Sequence, residues 1–221
     1  MKSAREEDSD RVRRLYERER IWRSQATYIA GVDEAGRGPM AGPVVAAAVI
    51  LPPFPEIPGI DDSKKLSPRM REAIFPVIIQ HSLAYGIGIR SARFVDERGI
   101  AEATFSAMRI AVKMLSLKGY TPDLVVVDGF PIKGLGIKQE AIIRGDSQVA
   151  SIACASILAK VVRDKMMQQY DNIYPGYGFS EHKGYCTKNH IDSLNRKGPC
   201  PIHRRSFHPV EAWLEGPLEF S

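Results

Sequence analysis

Four carboxylate side chains stand where apolar stretches of this sequence end or where a helix is expected to begin. Asp33 and Glu34 close one apolar, strand-like run. Asp128 closes a second run, and Asp146 precedes a long helical stretch. Ligands of α/β proteins collect at the ends of strands, and carboxylates crowded there repel one another unless cations are present. Because Mg²⁺ and Mn²⁺ prefer hard oxygen ligands, the four acids are candidate metal ligands and catalytic residues.

Each acid also has a purely structural explanation. An Asp-Glu pair before a glycine-rich turn is common in solvated hairpins, and Asp128-Gly129 is a common turn sequence. An Asp at a helix start, such as Asp146, is favoured by capping and by the helix dipole. A carboxylate that directly follows buried residues, however, must be paired, metal-bound or at a solvent edge. Four acids in such positions favour one shared site.

A glycine-rich turn, Gly36-Arg37-Gly38, follows the first acid pair. Neighbouring strand residues point to opposite faces, so we expect the strand to stop or bend between Asp33 and Glu34, with the glycines supplying the bend. Glycine also lets backbone N–H groups approach a ligand closely, and the planar guanidinium of Arg37 suits phosphate. The turn is a candidate substrate-binding element, with a solvated hairpin as the alternative.

The C-terminal part of the chain interleaves aromatic and basic residues. Rings stack on bases or sugars and cations contact phosphates, so this composition suits a nucleic-acid surface. A solvated basic helix with tyrosines in the core is the alternative. Four of the five histidines lie beyond residue 180, together with Lys183, Lys188, Arg196, Lys197, Arg204 and Arg205.

Composition and length limit the class of protein. A chain of 221 residues can form one sizeable core, or one domain with an appendage. No apolar run approaches the roughly 18 residues that a membrane span needs, and residues 1–22 are dense in charge without an apolar signal region. Three widely spaced cysteines indicate a reduced chain. We therefore expect a cytoplasmic protein without membrane association, and its net charge of +5 is compatible with a polyanionic partner.

The hydrophobic pattern predicts an α/β protein but gives no strand order. The segment 9–23 alternates Arg and Glu, with Leu15, Ile21 and Trp22 as its apolar contacts. Because its acidic and basic residues nearly balance, we expect an exposed helix packed on the main body rather than a nucleic-acid-binding arm. Strands are predicted to begin near residue 28 and at 43–51, 83–90, 123–129 and 141–143, and helices at 68–80, 99–118, 148–169 and ending near 196.

The first strand and turn read in full Gly31-Val32-Asp33-Glu34-Ala35-Gly36-Arg37-Gly38-Pro39. This string resembles the signature of the bacterial type 2 ribonucleases H, the ribonuclease HII family. The loop around Lys64, the Gly-Asp-Ser string at Asp146 with the pattern at 155–160, and Gly-Tyr at Tyr185 are also similar to the family. The resemblance implies that Lys64 contacts the substrate backbone and that Tyr185 stacks on nucleic acid.

The resemblance implies an RNase H-like fold. It predicts a five-stranded mixed sheet, with the first three strands antiparallel and the last two parallel to the first, helices on both faces and a C-terminal helical appendage. We expect three regions: a charged helical extension at 1–27, a catalytic core at 28–172 and a substrate-binding helical appendage at 173–221. We also expect a monomer.

The implied activity is that of an endoribonuclease. It would hydrolyse the RNA strand of RNA–DNA hybrids and cut 5′ of single ribonucleotides in duplex DNA. The products would carry 3′-OH and 5′-phosphate ends, and the role would be removal of misincorporated ribonucleotides and RNA primers. Such hydrolysis is suited to two Mn²⁺ or Mg²⁺ ions, which stabilise the attacking and leaving oxygens.

The resemblance also assigns roles to the candidate residues. Asp33 would bridge the two ions, and the other three acids would complete their ligand shells. The Gly36-Arg37-Gly38 turn would recognise the ribose 2′-OH, and Tyr185 would contact the deoxyribose that follows it.

Two other functions remain possible from the sequence. Ribonuclease HIII carries similar acids and prefers longer hybrids, but it usually has a sizeable N-terminal substrate-binding domain. The 27 residues before Tyr28 are too few for such a domain. The second alternative is a non-catalytic nucleic-acid-binding module, against which the presence of all four acids argues.

Overall fold

Five strands form one mixed sheet in the computed structural model, which describes residues 4–54 and 56–216. They are β1 (Ile29–Ala35), β2 (Val44–Ile50), β3 (Ala84–Arg90), β4 (Leu124–Asp128) and β5 (Lys138–Ile142). The order across the sheet is β3-β2-β1-β4-β5. The first three strands pair antiparallel, and β4 and β5 run parallel to β1. The predicted sheet is therefore confirmed.

Helices cover both faces of this sheet, as predicted. On one face, α4 with α1 and α2 packs on Val45, Ala47 and Val49. On the other, α3 packs on the residues between them in β2. Because both faces are covered, β2 is buried along its whole length and reads as a continuous apolar run. The helices are α1 (Ala4–Trp22), α2 (Pro68–His81), α3 (Ala92–Leu117), α4 (Ala150–Ile173), α5 (Phe179–His182), α6 (Lys188–Lys197) and α7 (Val210–Glu215).

The glycines that weaken the sequence pattern of β3 have a packing role. A β-carbon added at Gly88 would lie 1.9 Å from the carbonyl oxygen of Ala107 in α3. Glycine at this position therefore allows α3 to lie close against the strand.

Several element boundaries differ from the predicted ones. α3 begins at Ala92 rather than at Gly99, because the Ser91 hydroxyl caps it by accepting a hydrogen bond from the Phe94 N–H. Gly99, with φ of +77°, marks a kink inside α3. β5 begins at Lys138, three residues earlier than predicted, because it is an edge strand with mostly exposed side chains and no apolar pattern. α4 begins at Ala150 after a 3₁₀ turn.

The N-terminal helix α1 packs on the main body. Leu15 and Tyr16 are buried in the core that α4 shares with β2. Glu19 is fully buried and accepts a hydrogen bond from the Ser151 N–H at 2.7 Å. The expectation that Ile21 makes an apolar contact is wrong, since its side chain is 68% exposed.

The C-terminal helices attach to the loop between β1 and β2. The Met40 N–H donates to the carbonyl of Gly184, the Gly42 N–H donates to that of Ile202, and the Arg204 N–H donates to that of Met40. The loop that carries the Gly36-Arg37-Gly38 turn is thus bonded to the appendage. The division at 27 and 172 stays a prediction, and its residues 1–3 and 217–221 lie outside the described residues.

Within the ranges that the structure describes, none of the helices combines the length and the apolar character needed to cross a membrane.

Candidate active site

Three of the four predicted acids meet at one edge of the sheet. Asp33, Asp128 and Asp146 each offer a carboxylate oxygen, and these oxygens all lie within 4.8 Å of one another. β1 and β4 pair in parallel up to Val32 and Val127, so the acids that follow lie side by side. Asp146 lies in the 3₁₀ turn Gly145–Ser147.

A hydrogen bond joins the segments that carry Asp128 and Asp146. The Gly145 N–H donates to Asp128 Oδ1 at 2.7 Å, and so holds the turn that carries Asp146 against the end of β4. Both Asp33 and Asp146 are buried, at 5% and 2% exposure, which limits the water available to their charges.

Glu34 lies at the margin of the cluster. It lines the same cleft, of about 240 Å³, as Asp33 and Asp128. The expectation that the strand stops between Asp33 and Glu34 is wrong, because β1 continues to Ala35. Asp33 and Glu34 reach one cleft although they are adjacent in β1. β4 ends at Asp128, so Glu34 lies beyond the end of β4.

The cluster is electrostatically costly without a cation. Burial raises the pKa of Asp33 well above its usual range, and the charges of Glu34 and Asp128 raise it further. Burial and the Asp128 charge also raise the pKa of Asp146. Burial raises the pKa of Glu34, although Arg37 opposes this. These carboxyl groups repel one another when all are ionised, and a bound cation would relieve that repulsion. Their oxygens are the ligands that Mg²⁺ and Mn²⁺ prefer, so these residues fit divalent cations.

Lys64 approaches the cluster from the loop before α2. Its Nζ lies 3.4 Å from Asp146 Oδ2, while its side chain is 80% exposed. Partial burial lowers the pKa of Lys64, but Asp146, Asp62 and Asp33 outweigh this and raise it overall. Its predicted contact with a substrate phosphate stays a prediction, although its position beside the acids suits one.

The loop that carries Lys64 is supported by residues to which the sequence analysis assigned no individual role. The Ser63 and Ser156 hydroxyls lie 2.9 Å apart. Arg71 Nη1 donates to the carbonyls of Ser63 and Leu66 at 2.7 and 2.5 Å. A hydrogen bond from the Ser156 hydroxyl lowers the pKa of Asp33, against the larger effect of burial.

The Gly36-Arg37-Gly38 turn lines the same cleft as Asp33, Glu34 and Asp128. Gly36 has φ of +97°, in the left-handed region that favours glycine. A β-carbon there would lie 2.2 Å from Nε of Arg163. Arg37 Nη1 lies 3.4 Å from Glu34 Oε1, and the Arg37 side chain is half exposed.

Arg204 supports this turn from the interior of the protein. Its side chain is fully buried and donates to the carbonyls of Gly36 at 2.5 Å, Arg37 at 2.9 Å and Gly42 at 3.0 and 3.1 Å. Burial lowers the pKa of Arg204 to about 9, still above neutral pH. The sequence grouped it with the exposed basic residues of the C-terminal part, because nothing local distinguishes it from Arg205.

The bonds from Arg204 also orient the N–H groups of the turn. The C=O and N–H of a trans peptide point in opposite directions. With the carbonyls of Gly36 and Arg37 directed at Arg204, the N–H groups of Arg37 and Gly38 point away from it. Neither N–H makes a hydrogen bond among the described residues. The turn therefore presents two free backbone donors.

Tyr185 borders the turn from the appendage. Its side chain is 46% exposed and lines the cleft. A β-carbon added at Gly38 would lie 3.9 Å from Tyr185 Cε1. The Tyr185 carbonyl lies 2.9 Å from His190 Nδ1, and His190 Nε2 lies 3.1 Å from His203 Nε2. The predicted surface role is wrong for these two histidines, because both are buried and support the segment from within.

Comparisons with known proteins identify the family of this chain. The family model described as Ribonuclease HII matches residues 30–210. This chain belongs to the ribonuclease HII family. Ribonuclease HII of Syntrophotalea carbinolica is 48% identical over 206 residues, which is 93% of this chain and 97% of that protein.

Solved structures share the fold. The ribonuclease H2 of Pyrococcus horikoshii has a TM-score of 0.70 at 26% identity, covering 85% of this chain and 97% of that one. Bst-RNase HIII in complex with Mn²⁺ has a TM-score of 0.65 at 19% identity, covering 85% of this chain and 69% of that one, which shows the common fold alone.

Membership of the ribonuclease HII family gives the general activity. The protein is a ribonuclease H, an endonuclease of a family that acts on RNA–DNA substrates with divalent metal ions. This excludes the alternative of a non-catalytic binding module. The family match likewise favours ribonuclease HII over ribonuclease HIII.

Proposed function

We propose that this ribonuclease H cuts duplex DNA on the 5′ side of an embedded ribonucleotide and also hydrolyses the RNA strand of RNA–DNA hybrids. The observation that carries the proposal is the position of two free backbone donors, the N–H groups of Arg37 and Gly38, in the same cleft as Asp33, Glu34 and Asp128. Donors fixed beside the reacting phosphate allow the site to require a 2′-OH.

The acids would hold the cations. Divalent ions bound there would neutralise the carboxylates and stabilise the charge that develops on the attacking and leaving oxygens. We propose two ions, Mn²⁺ or Mg²⁺, and the Mn²⁺ bound by the structurally similar Bst-RNase HIII supports this choice. The residues that would hold them are Asp33, Glu34, Asp128 and Asp146.

The turn would select the sugar. A 2′-OH can accept from the N–H groups of Arg37 and Gly38, and an all-deoxy strand that covers the turn would leave these donors without a partner. Sites of this kind reject the analogue that lacks the hydroxyl by a large factor. Tyr185, across the turn from Gly38, would stack on the sugar of the following deoxynucleotide. Lys64 would contact a backbone phosphate beside Asp146.

The reaction is a hydrolysis. Water adds to phosphorus and the bond between phosphorus and O3′ breaks, which leaves a 3′-OH on the upstream DNA and a 5′-phosphate on the ribonucleotide. The biological role would be the removal of misincorporated ribonucleotides and RNA primers. We further propose that the protein is cytoplasmic and monomeric, and that its region 173–221 binds substrate.

The chemistry of the product ends tests this proposal. A duplex with one ribonucleotide is incubated with Mn²⁺ or Mg²⁺, with chelator as the control. We expect an upstream fragment that a DNA polymerase extends and a downstream fragment that a 5′-phosphate-dependent exonuclease degrades, both absent with chelator. A 2′,3′-cyclic phosphate would contradict the proposal, because it requires the 2′-OH itself to attack.

A further inference from the structure

A second cleft lies beside the acid cluster. It measures about 580 Å³ and is formed by α1 together with the segments that precede α2 and α4. α1 contributes Arg14 and Arg18, and the two segments contribute Lys65 and Ser147. We call it the α1 cleft.

The α1 cleft is continuous with the acid cluster along two segments of chain. Ser147 directly follows Asp146, and Lys65 directly follows Lys64. Lys64 and Asp146 are themselves 3.4 Å apart, Nζ to Oδ2. A nucleic-acid strand that left the acids past Asp146 on the side of Ser147 would meet the α1 cleft next.

Three arginines of α1 face this cleft. Arg11, Arg14 and Arg18 all line it, and their spacing of three and four residues places them on one side of the helix. Arg13 is exposed, like Arg14 and Arg18, but does not line the cleft. The sequence suggested a balance of charges along this helix, whereas the fold concentrates these basic groups on one side.

The basic residues that line the α1 cleft outnumber the acidic ones, so its net charge is positive. Asp61 is paired with Arg11 and with Lys65, each at 3.4 Å. Arg14 and Arg18 form no ion pair with any residue that the structure describes. Glu17 is the remaining acid in the lining and cannot neutralise both.

From this arrangement we infer that the α1 cleft binds the phosphodiester backbone of the duplex that flanks the cut site. The inference rests on the proposed function, since it extends the path of the same substrate. Residues four apart on a helix lie roughly 5–6 Å from each other, so Arg14 and Arg18 can contact neighbouring phosphates of one strand. The contact is independent of base sequence, because only phosphates are bound.

Substitution of both arginines tests the inference. Glutamine keeps the helix propensity and removes the charge, so the variant is Arg14→Gln with Arg18→Gln. The matched control is Arg13→Gln with Lys113→Gln, which removes two exposed charges outside the cleft. Affinity for a duplex with one ribonucleotide is measured in chelator over a series of salt concentrations. Loss of two phosphate contacts should reduce the slope of log affinity against log salt by about two.

Duplexes shortened on one side show which flank of the ribonucleotide Arg14 and Arg18 contact. Duplexes that end about four base pairs from the ribonucleotide on one side or the other lose the flanking phosphates on that side. We expect the glutamine variant to weaken binding of the long duplex by about tenfold at low salt, and to bind one of the two truncated duplexes as wild type does. Arg14→Lys with Arg18→Lys should retain the affinity, because lysine keeps both positive charges. An unchanged Tm of the glutamine variant excludes misfolding as the cause.

The outcomes separate this inference from the proposed function. Equal slopes for the glutamine variant and its control would overturn the inference, as would a loss of affinity that is independent of duplex length. Cleavage of the single-ribonucleotide duplex by wild type tests the proposed function separately, and it can succeed while the α1 cleft proves unused.

Discussion

The buried guanidinium of Arg204 donates a hydrogen bond to the main-chain carbonyl of Gly36 at 2.5 Å. This bond joins the C-terminal appendage to the turn beside the acids. With the bonds from Arg204 to Arg37 and Gly42, it directs the peptide carbonyls inward and the free N–H groups outward. The appendage thus shapes the turn in addition to providing Tyr185.

We expect Arg204→Met to lower kcat/KM on a single-ribonucleotide duplex by about a hundredfold, because a small misplacement of binding groups has an effect of this size. The acids do not contact Arg204, so the increase in Tm on adding Mn²⁺ should be unchanged. Arg205→Met is the matched control, since the bond from its N–H to Asp96 does not use the side chain. Normal kcat/KM in Arg204→Met would contradict this role.

Asp128→Asn should reduce cleavage by orders of magnitude, because it removes a metal-ligating charge and its transition-state stabilisation. The amide oxygen can still accept from the Gly145 N–H, so the fold should persist and hybrid binding should survive. Kinetics and hybrid binding are measured together. Normal cutting would show that the acid cluster is not the catalytic site.

The same substitution should hold or raise stability without metal. Burial and neighbouring charge raise the folded-state pKa of Asp33 above its unfolded value. The stability that this group contributes is present below its unfolded pKa and is lost as pH rises through the folded pKa. Asp128→Asn removes one of the charges responsible, so chemical unfolding in chelator at neutral pH should show no loss. A large destabilisation would indicate a structural role for Asp128.

Tyr185→Ala should weaken cleavage at the RNA–DNA junction by about tenfold to a hundredfold, since stacking on nucleic acid contributes roughly 1–3 kcal/mol. The half-exposed ring contributes little to the core, so the Tm should change little. Tyr185→Phe keeps the ring and serves as the control. If Tyr185→Ala unfolds the protein, the ring is a core residue rather than a stacking group.

The paired histidines predict how stability depends on pH. Burial lowers the pKa of His190 and of His203 to about 4. Their unfolded value is about 6.5, so the stability they contribute is present above pH 6.5 and is lost as pH falls towards 4. Urea unfolding from pH 7.5 to 5 measures this. His190→Gln should flatten the dependence, whereas His208→Gln, at an exposed position, should not.

The sequence predicted those parts of the site that depend on local pattern. Asp33 and Asp128 end apolar runs, and their proximity follows from parallel pairing of β1 and β4. The 36–38 turn was evident from its glycines. The strand end expected between Asp33 and Glu34 was wrong, because β1 continues to Ala35. Its last residues pair with Ala46 and Val45 of β2, and such pairing between strands is not encoded in the local sequence.

Long-range burial explains what the sequence did not predict. Arg204 and Arg205 are adjacent and chemically alike, yet Arg204 is fully buried against a loop more than 160 positions away in the chain, while Arg205 is exposed. His190 and His203 read as part of a basic surface, but they pack against each other inside the appendage. Such roles depend on which segments meet in the fold.

Three end-labelled duplexes test the central claim most directly. They are identical except at one position, which carries a ribonucleotide, a deoxynucleotide or a 2′-O-methyl nucleotide, and each is incubated with Mn²⁺ or Mg²⁺ and analysed on a gel. We expect a single cut on the 5′ side of the ribonucleotide. The other two should stay intact, because the first lacks the hydroxyl that the turn binds and the methyl group of the second crowds the turn. Cutting of the all-deoxy duplex, or no cutting at the ribonucleotide by protein that still cuts a long RNA–DNA hybrid run alongside, would contradict the account.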